Sequence, residues 1–434
     1  MPRLLYFGQK NHFHNLCKLY KDQSPPKFKS TRIQCDLLPL LENEFIKLGT
    51  KQISKNNILQ KYQVFKDTIV MLATDGDEYF PSQTLIMIKL LENKSVHYIV
   101  ELSEDGYIEE PVDDIQVGDD FVVLKGQSHN LYICYQNTTS QRYDVRPLSF
   151  EHGQIDYYSC AIHSLVIKTK AQQFYVATID SLSGKIKNLD TLIEMSKLTS
   201  SPTEKLEQVE TLFYVESGMY PLARTSNNDK LIYKGPYGIP HRRYGGGYID
   251  GILLEAKHYG VGVTIEKLYC DSISAVVMLS NGRHLWVNHV DCYFRVEDLT
   301  SVVQQCVGNE WEIERVIPNR GGNGYALMLK NTKTDSSQIM VVTNPRAVGC
   351  DPLFLENSKD LKVKEEEYIW AFLLPTYVLR QYSLSESNNN IENVYLTNSF
   401  MLFEVEDQEK VYLKRLAACV GFRDIEVVSF DRLN

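Results

Sequence analysis

Long apolar runs, paired cysteines and catalytic signatures are missing from this sequence. No stretch of its 434 residues approaches the roughly 18 consecutive apolar residues of a transmembrane helix, so none is predicted. Residues 1–8 contain too short an apolar run for a secretory signal. None of the nine cysteines belongs to a Cys-x-x-Cys pair, so a structural zinc site is not predicted. An odd number of cysteines without a signal is typical of reduced thiols in the cytoplasm or nucleus.

Motifs that carry chemistry are absent as well. The chain has no His-Glu-x-x-His, no Gly-x-Ser-x-Gly and no Walker-type phosphate loop. Its short glycine clusters, at residues 260–262 and 321–324, lack the strand-to-helix context of a phosphate cradle, and we interpret them as turns. We therefore predict no catalytic residue, no metal and no cofactor.

Composition and charge favour a β-rich protein that does not bind nucleic acid electrostatically. The chain carries 46 Lys and Arg against 55 Asp and Glu, a formal net charge of −9, which argues against binding to a phosphate backbone. Tyrosine is unusually common, at 27 copies, whereas glycine, at 24, is not. Tyr, Val and Ile pack well on a pleated surface, so this usage favours strands.

A weak motif recurs through the chain: an apolar β-prone run, a tight polar turn and a second β-prone run. The clearest copies span residues 68–80 and 274–287, with Asp75-Gly76 and Asn281-Gly282 at their centres. These dipeptides predict type I′ hairpin turns. Comparable turns fall near positions 75, 127, 183, 229, 281, 335 and 407. A sandwich would show turns every 8–12 residues or so without this longer period.

The repeat predicts the architecture. Three or four short strands in about fifty residues make one blade of a β-propeller, although a chance spacing of ordinary hairpins is the alternative. We predict one all-β propeller domain over residues 1–434, with seven blades and few short helices. Loop insertions are expected near residues 186–210, 234–251 and 383–393, and the best helical spacing lies at 188–208. Residues 4–7 are expected to close the ring by pairing near residues 400–413.

Three segments carry a family resemblance. Ile115-Gln116-Val117-Gly118 with the apolar run to Leu124, followed by residues 130–137, resembles the core line of regulator-of-chromosome-condensation repeats. Residues 46–49 with 69–79, and residues 5–11, are similar to parts of the same repeat. The resemblance implies a seven-bladed propeller across nearly the whole chain. The low glycine content and the lack of most Trp-Gly-x-Asn elements imply a divergent member, and Kelch-like and WD-like propellers stay open.

One polar excursion, residues 234–251, is the predicted partner-binding segment. Arg and Tyr contribute most at interfaces, Arg through its forked donors and Tyr through a rigid ring with a polar tip. The predicted contact residues are Tyr237, His241, Arg242, Arg243, Tyr244 and Tyr248. The alternatives are a bare solvent-exposed loop and stacking on single-stranded nucleic acid.

An acidic run lies at residues 101–120. Its members are Glu101, Glu104, Asp105, Glu109, Glu110, Asp113, Asp114, Asp119 and Asp120. Such runs are usually solvated edges that oppose strand-to-strand aggregation, and the alternative is a second face for a basic partner.

These observations favour a non-enzymatic intracellular scaffold or adaptor subunit, cytoplasmic or nuclear, with protein partners and no membrane. The alternative is a guanine-nucleotide exchange factor for a small GTPase, because the family that the chain resembles includes such proteins. A hydrolase would need carboxylates or histidines that converge around the channel, and nothing in the linear sequence shows them. Fold alone does not decide among these functions.

Overall fold

The residues that the structure describes fold mainly as antiparallel β-sheet. The structure is a computed structural model, and it describes residues 4–8, 58–66, 68–74, 82–90, 95–102, 108, 110–137, 142–180, 183–191, 205–214, 218–233, 251–290, 293–344, 367–373, 391–396, 400–406 and 414–421. Strand β1 is Leu4–Gly8, and the other strands follow in chain order as successive small sheets.

The strands of the first four sheets are β2 (Ile58–Phe65), β3 (Thr68–Thr74), β4 (Gln83–Leu90) and β5 (Ser95–Glu101); β6 (Val112–Val117), β7 (Phe121–Gly126), β8 (Leu131–Gln136) and β9 (Tyr143–Pro147); β10 (Ile155–Cys160), β11 (Ser164–Thr169), β12 (Phe174–Asp180) and β13 (Lys185–Thr191); β14 (Leu206–Tyr214), β15 (Gly218–Thr225), β16 (Lys230–Tyr233) and β17 (Gly251–Glu255). The last three sheets contain β18 (Ile265–Cys270), β19 (Ser274–Leu279), β20 (His284–Val290) and β21 (Tyr293–Asp298); β22 (Trp311–Pro318), β23 (Tyr325–Asn331), β24 (Ser337–Thr343) and β25 (Glu367–Leu373); β26 (Ile391–Leu396), β27 (Phe400–Glu406) and β28 (Lys414–Gly421).

Each sheet is a meander in which consecutive strands pair as neighbours. Five sheets have four strands, β1 joins the sixth sheet as a fifth strand, and the seventh has three strands among the described residues. Consecutive antiparallel meanders of this size are the blades of a β-propeller, so the predicted fold class is confirmed. The chain divides into two compact units: one is Leu48–Ser272 with Leu279–Asn281, and the other is Met1–Lys47, Ile273–Met278 and Gly282–Asn434. That the whole chain is one domain stays a prediction.

In the second, third and fifth sheets the second strand forms the buried centre, and the sequence shows why. Strands β7, β11 and β19 read Phe-Val-Val-Leu, Ser-Leu-Val-Ile and Ser-Ala-Val-Val, and the first four residues of each are buried. A strand that is covered on both faces needs such continuous apolar runs rather than alternation. The first strand β6 has the pattern buried, exposed, half-buried, buried, half-buried, buried, so it is less deeply buried than β7.

The hairpin between the second and third strands has a shared geometry. One residue in each of five such hairpins has a positive φ; these are His129, Gln172, Asn228, Gly282 and Asp335, at φ 66°, 63°, 56°, 80° and 55°. At three of them the residue's N–H donates to the carbonyl three residues earlier, as Gln172 does to Thr169 at 2.8 Å. A type I turn followed by one left-handed residue is the standard three-residue hairpin.

Two predictions about these turns are wrong. The turn at Asn281-Gly282 is not type I′, because only Gly282 has a positive φ and type I′ needs two such residues. The predicted turn near position 183 joins β12 to β13 of the third sheet, whereas the hairpin equivalent to the others lies between Thr169 and Gln173. That hairpin, Lys170-Ala171-Gln172, has neither glycine nor asparagine, so turn chemistry did not reveal it.

The helical segment predicted at residues 188–208 is wrong at both of its described ends, and residues 192–204 lie outside the described residues. Residues 185–191 form β13 and residues 206–214 form β14, so both ends of the segment are strands, as are the ends of the insertion expected there. Strand β13 contains a bulge, because Val176 pairs with Asp190 and Thr178 with Lys187, so β13 has one extra residue there.

An α-helix among the described residues lies elsewhere in the chain. Helix α1, Leu299–Val307, begins where the Asp298 carboxylate accepts from the Ser301 N–H at 3.1 Å, an N-cap interaction. A short 3₁₀ turn spans Ala256–Tyr259. Among the residues that the structure describes, no helix is both long and apolar enough to cross a membrane.

Strand β1 does not pair where we expected. It lies antiparallel to β25, with Leu4 opposite Phe372 and Phe7 opposite Ile369, and not beside residues 400–413. The reason is that β27 is the central strand of its own sheet, so both of its edges are already paired with β26 and β28.

The left-handed hairpin position gives a stability prediction. A Cβ at Gly282 would meet no atom within 4 Å, so substitution there isolates the backbone cost of φ 80°. We expect Gly282→Val to lower the free energy of unfolding by about 1–2 kcal/mol, and Gly282→Asn by less than half of that, because Asn tolerates the left-handed region. Urea unfolding measures both. Equal losses for the two variants would show that φ is not the cause.

Candidate functional site: the row of first strands

The first strands share an irregularity at the same place. In six sheets the pairing with the second strand shifts just after an apolar residue, between Leu59/Lys61, Val112/Asp114, Ile155/Tyr157, Leu206/Gln208, Ile313/Arg315 and Ile391/Asn393. The residues that the shifts skip are Gln60, Asp113, Asp156, Glu207, Glu314 and Glu392. All but the first of these residues are acidic. In β18 the acidic residue Glu266 likewise directly follows an apolar residue, Ile265.

In the Leu48–Ser272 unit these acidic side chains are exposed. Asp113, Asp156, Glu207 and Glu266 all lie on the surface, whereas the apolar residue before each is at least half-buried. A bulge bends a strand and redirects a side chain, and it commonly does so near binding sites. The unit thus carries one exposed carboxylate at a matched position in four successive first strands, which we call the acidic row.

The first strands of this unit contact one another through polar side chains. The Lys61 ammonium on β2 bonds to the Asp114 carboxylate on β6. Ser159 on β10 donates to the Glu210 carboxylate on β14 at 3.2 Å, and Gln208 on β14 donates to the Leu268 carbonyl on β18 at 3.3 Å. Neighbouring sheets therefore hold their first strands, and with them the acidic row, in fixed relative positions.

Buried hydrogen bonds reinforce this placement. The Gln83 side-chain amide on β4 donates to the Val112 carbonyl at 2.8 Å and accepts from the Val112 N–H at 2.6 Å. These two hydrogen bonds join the first sheet to strand β6 of the second sheet. Ser164 and Thr211 join the third sheet to the fourth with an oxygen–oxygen distance of 2.6 Å. Buried polar groups such as these are costly to leave unpaired.

Aromatic side chains lie beside the acidic row on β10. Tyr157 is 41% exposed next to Asp156, while Tyr158 is buried. Burial raises the pKa of the Tyr158 phenol well above its usual range, and the negative charge of Asp114 raises it further. Tyr158 therefore stays protonated and neutral, and the charges of this part of the row come from the carboxylates.

The turns between first and second strands form a small charged cluster. The Lys66 ammonium lies 2.7 Å from the Asp119 carboxylate, and the His163 Nε2 lies 3.7 Å from it. The Asp119 N–H also donates to the Ile162 carbonyl at 2.7 Å. Asp119 thus links the turns of three successive sheets.

Much of the predicted acidic run is used inside the fold. Glu110 accepts from Ser128, Asn130 and Tyr132 across the β7–β8 hairpin, and although partial burial alone would raise its pKa, these hydrogen bonds lower it. Asp113 lies 3.6 Å from the Lys125 ammonium, in addition to the pairs that Asp114 and Asp119 make. Glu104, Asp105 and Glu109 lie outside the described residues. The run is therefore not a uniform free face.

The predicted contact residues Tyr237, His241, Arg242, Arg243, Tyr244 and Tyr248 all lie outside the described residues. The structure describes both ends of their segment. Tyr233 and Gly251 are directly paired in the β16–β17 ladder, and a Cβ at Gly251 would come within 3.1 Å of the Tyr233 ring. Residues 234–250 therefore leave and re-enter the fold at adjacent points. The described side chains contain no group of three or more His, Cys, Asp or Glu arranged to hold a metal.

Sequence comparison does not relate this chain to known proteins: no family profile and no curated protein matches it. Solved propeller structures match its backbone at low similarity. Human WBSCR16 is 10% identical with a TM-score of 0.36 over 56% of this chain and 65% of its own, just under two thirds of its length.

Two further structures match larger parts of the chain. Prp20p of Saccharomyces cerevisiae, described together with its binding to Gsp1p and histones, is 10% identical with a TM-score of 0.40 over 66% of this chain and 69% of its own. YCF48 of Cyanidioschyzon merolae is 10% identical with a TM-score of 0.39 over 86% and 97%. At these values the matches carry no functional argument, and the fold class rests on the sheets themselves.

The Ser164–Thr211 bond gives a test of how the sheets are joined. We expect Thr211→Val to destabilise the protein by about 1–3 kcal/mol, because it leaves the buried Ser164 hydroxyl without its partner. Adding Ser164→Ala should recover part of that loss, since no unpaired group then remains. Urea unfolding of the two single variants and the double variant measures this coupling. Strictly additive losses would mean that the bond does not join the sheets energetically.

The environment of Glu110 gives a prediction about pH. Its pKa is lower in the folded chain than in the unfolded chain, so its stabilising effect is present above the unfolded value near 4.3 and is lost as pH falls through the folded value. We expect Glu110→Gln to cost roughly 0.5–1 kcal/mol at pH 7 and progressively less below about pH 4. Unfolding midpoints of wild type and variant across this range measure the difference. A gap that stays constant with pH would contradict the assignment.

Proposed function

We propose that this protein is a non-enzymatic scaffold or adaptor that binds protein partners. The observation that carries the proposal is the acidic row, in which successive rigid sheets present an exposed carboxylate at one matched position. A function that rests on one local site does not require an exposed carboxylate at the same position of four successive sheets, whereas an extended contact surface does. The sign of the charge suits a partner segment with several basic residues.

The excursion at residues 234–250 supplies a second contact surface in this proposal. Arg242, Arg243 and Tyr244 provide donors and a rigid ring, and the paired residues Tyr233 and Gly251 fix the base from which they project. The two surfaces carry opposite charge. A scaffold with both could hold a basic partner and an acidic partner at the same time.

The proposal is tested by affinity capture from native extract with matched charge variants. One variant carries Arg242→Glu, Arg243→Glu and Tyr244→Ala; a second carries Asp156→Lys, Glu207→Lys and Glu266→Lys. The controls are Arg242→Lys with Arg243→Lys, which keeps the charge, and Glu312→Lys, which changes an exposed carboxylate outside the row. We expect each reversal to reduce recovery of its own set of proteins at least tenfold, and the controls to recover both sets.

Other results would contradict the proposal. Equal recovery by all variants would show that neither surface binds. Faster nucleotide release from a small GTPase on addition of the purified chain, lost when residues 234–250 are deleted, would replace the scaffold by the exchange-factor alternative. That alternative rests on the family resemblance, and no described contact favours it.

A further inference from the structure

Among the described residues the sixth sheet has five strands, one more than the five sheets that have four. Strands β22 to β25 already make the four-stranded meander that the other complete sheets have, and β1 then pairs with the outer edge of β25. This fifth strand comes from the opposite end of the sequence. The meander is complete without it, so β1 covers an edge rather than filling a gap.

We propose that the outer edge of β25 is a docking site for an extended apolar peptide of a partner protein, and that β1 occupies this site as an internal competitor. Peptides bind such edges by adding a strand, and their main-chain hydrogen bonds provide much of the affinity. The sequence of β1, which occupies the edge in this structure, indicates the chemistry of a peptide that could bind there. Leu4-Leu5-Tyr6-Phe7-Gly8 is uncharged, apolar and free of proline.

The register shows that β1 uses the edge incompletely. Strand β25 has seven residues, and β1 pairs with Phe372, Ala371, Trp370, Ile369 and Glu367. The pairing shifts between Phe7 and Gly8, so Tyr368 is passed over. A partner strand in regular register could pair with all seven residues of β25.

The competition has a predictable consequence. A strand in the same chain competes at an effective concentration that is commonly on the order of millimolar for a tethered module. A partner peptide therefore binds the intact chain weakly, and binds strongly once β1 is removed or displaced. In this proposal β1 sets the threshold for binding at this edge, independently of the acidic row and of residues 234–250.

Fluorescence anisotropy with a labelled peptide of residues 3–9 tests the proposal. We expect a variant lacking residues 4–8 to bind this peptide at least tenfold more tightly than the intact chain does. The controls are a scrambled peptide and the two peptides with Leu5→Pro and Tyr6→Pro. Successive N–H groups of a strand point to opposite sides, so only one of these prolines removes a bond to β25, and the two peptides should differ in affinity.

A cross-linked variant keeps the test decisive where the deletion impairs folding. Tyr6 and Trp370 are direct partners, so Tyr6→Cys with Trp370→Cys can form a disulfide that fixes β1 in place. We expect the peptide to bind at least tenfold more weakly to the oxidised form than to the reduced form. Equal affinities in both comparisons, or equal binding of the scrambled peptide, would overturn the proposal. A dimer that exchanges β1 between two copies, seen by sedimentation, would assign the edge to a second copy instead.

Discussion

Each sheet of this chain is too small to bury its own faces, and that constraint governs the rest of the structure. A stable sheet needs another layer against each apolar face. The second and third sheets accordingly share one core, with Val123 and Ile133 packed together with Ile167 and Tyr175. The third and fourth sheets share another, in which Val176 lies with Val209. Stability thus depends on contacts between sheets as much as on the ladders within them.

Polar side chains make these contacts specific. In the Ile273–Met278 and Gly282–Asn434 segments, the Trp286 indole donates to the Ser274 hydroxyl at 2.8 Å, and the Tyr325 hydroxyl donates to the Ser274 carbonyl at 2.7 Å. Gln83 and Thr211 have equivalent roles in the other unit. Apolar packing alone would tolerate several offsets between sheets, whereas a buried hydrogen bond is satisfied in only one.

The sequence predicted the fold well where a local signal is sufficient. Continuous apolar runs placed the central strands correctly, and the turn positions recovered the period of most sheets. The errors arose where the structure of a segment depends on which other strand it pairs with. The glycine-free hairpin at Gln172 gave no turn signal, and the partner of β1 depended on which edges other strands had already taken.

The candidate site was predictable only in part. The pattern of apolar residue, acid, any residue and apolar residue is visible in Ile155-Asp156-Tyr157-Tyr158 and in Leu206-Glu207-Gln208-Val209, and a search for it would have found the acidic row. The bulge that exposes the acid depends on the neighbouring strand, so the sequence did not reveal it. Proximity in sequence was also misleading, because Glu110 and Asp119 belong to one acidic run but bond to different partners.

The left-handed hairpin position has a consequence for how the chain folds. Five sheets place His, Gln, Asn, Gly and Asp at this one backbone position, so the repeats have the same turn with little sequence in common. Chains built from nearly identical repeats are prone to pair a strand with the wrong repeat, and to exchange strands between molecules during synthesis. When the repeats differ in sequence, a strand packs poorly against the wrong repeat, so such mispairings are less stable. The divergence that hides the repeat from sequence comparison therefore also helps each strand to find its own sheet.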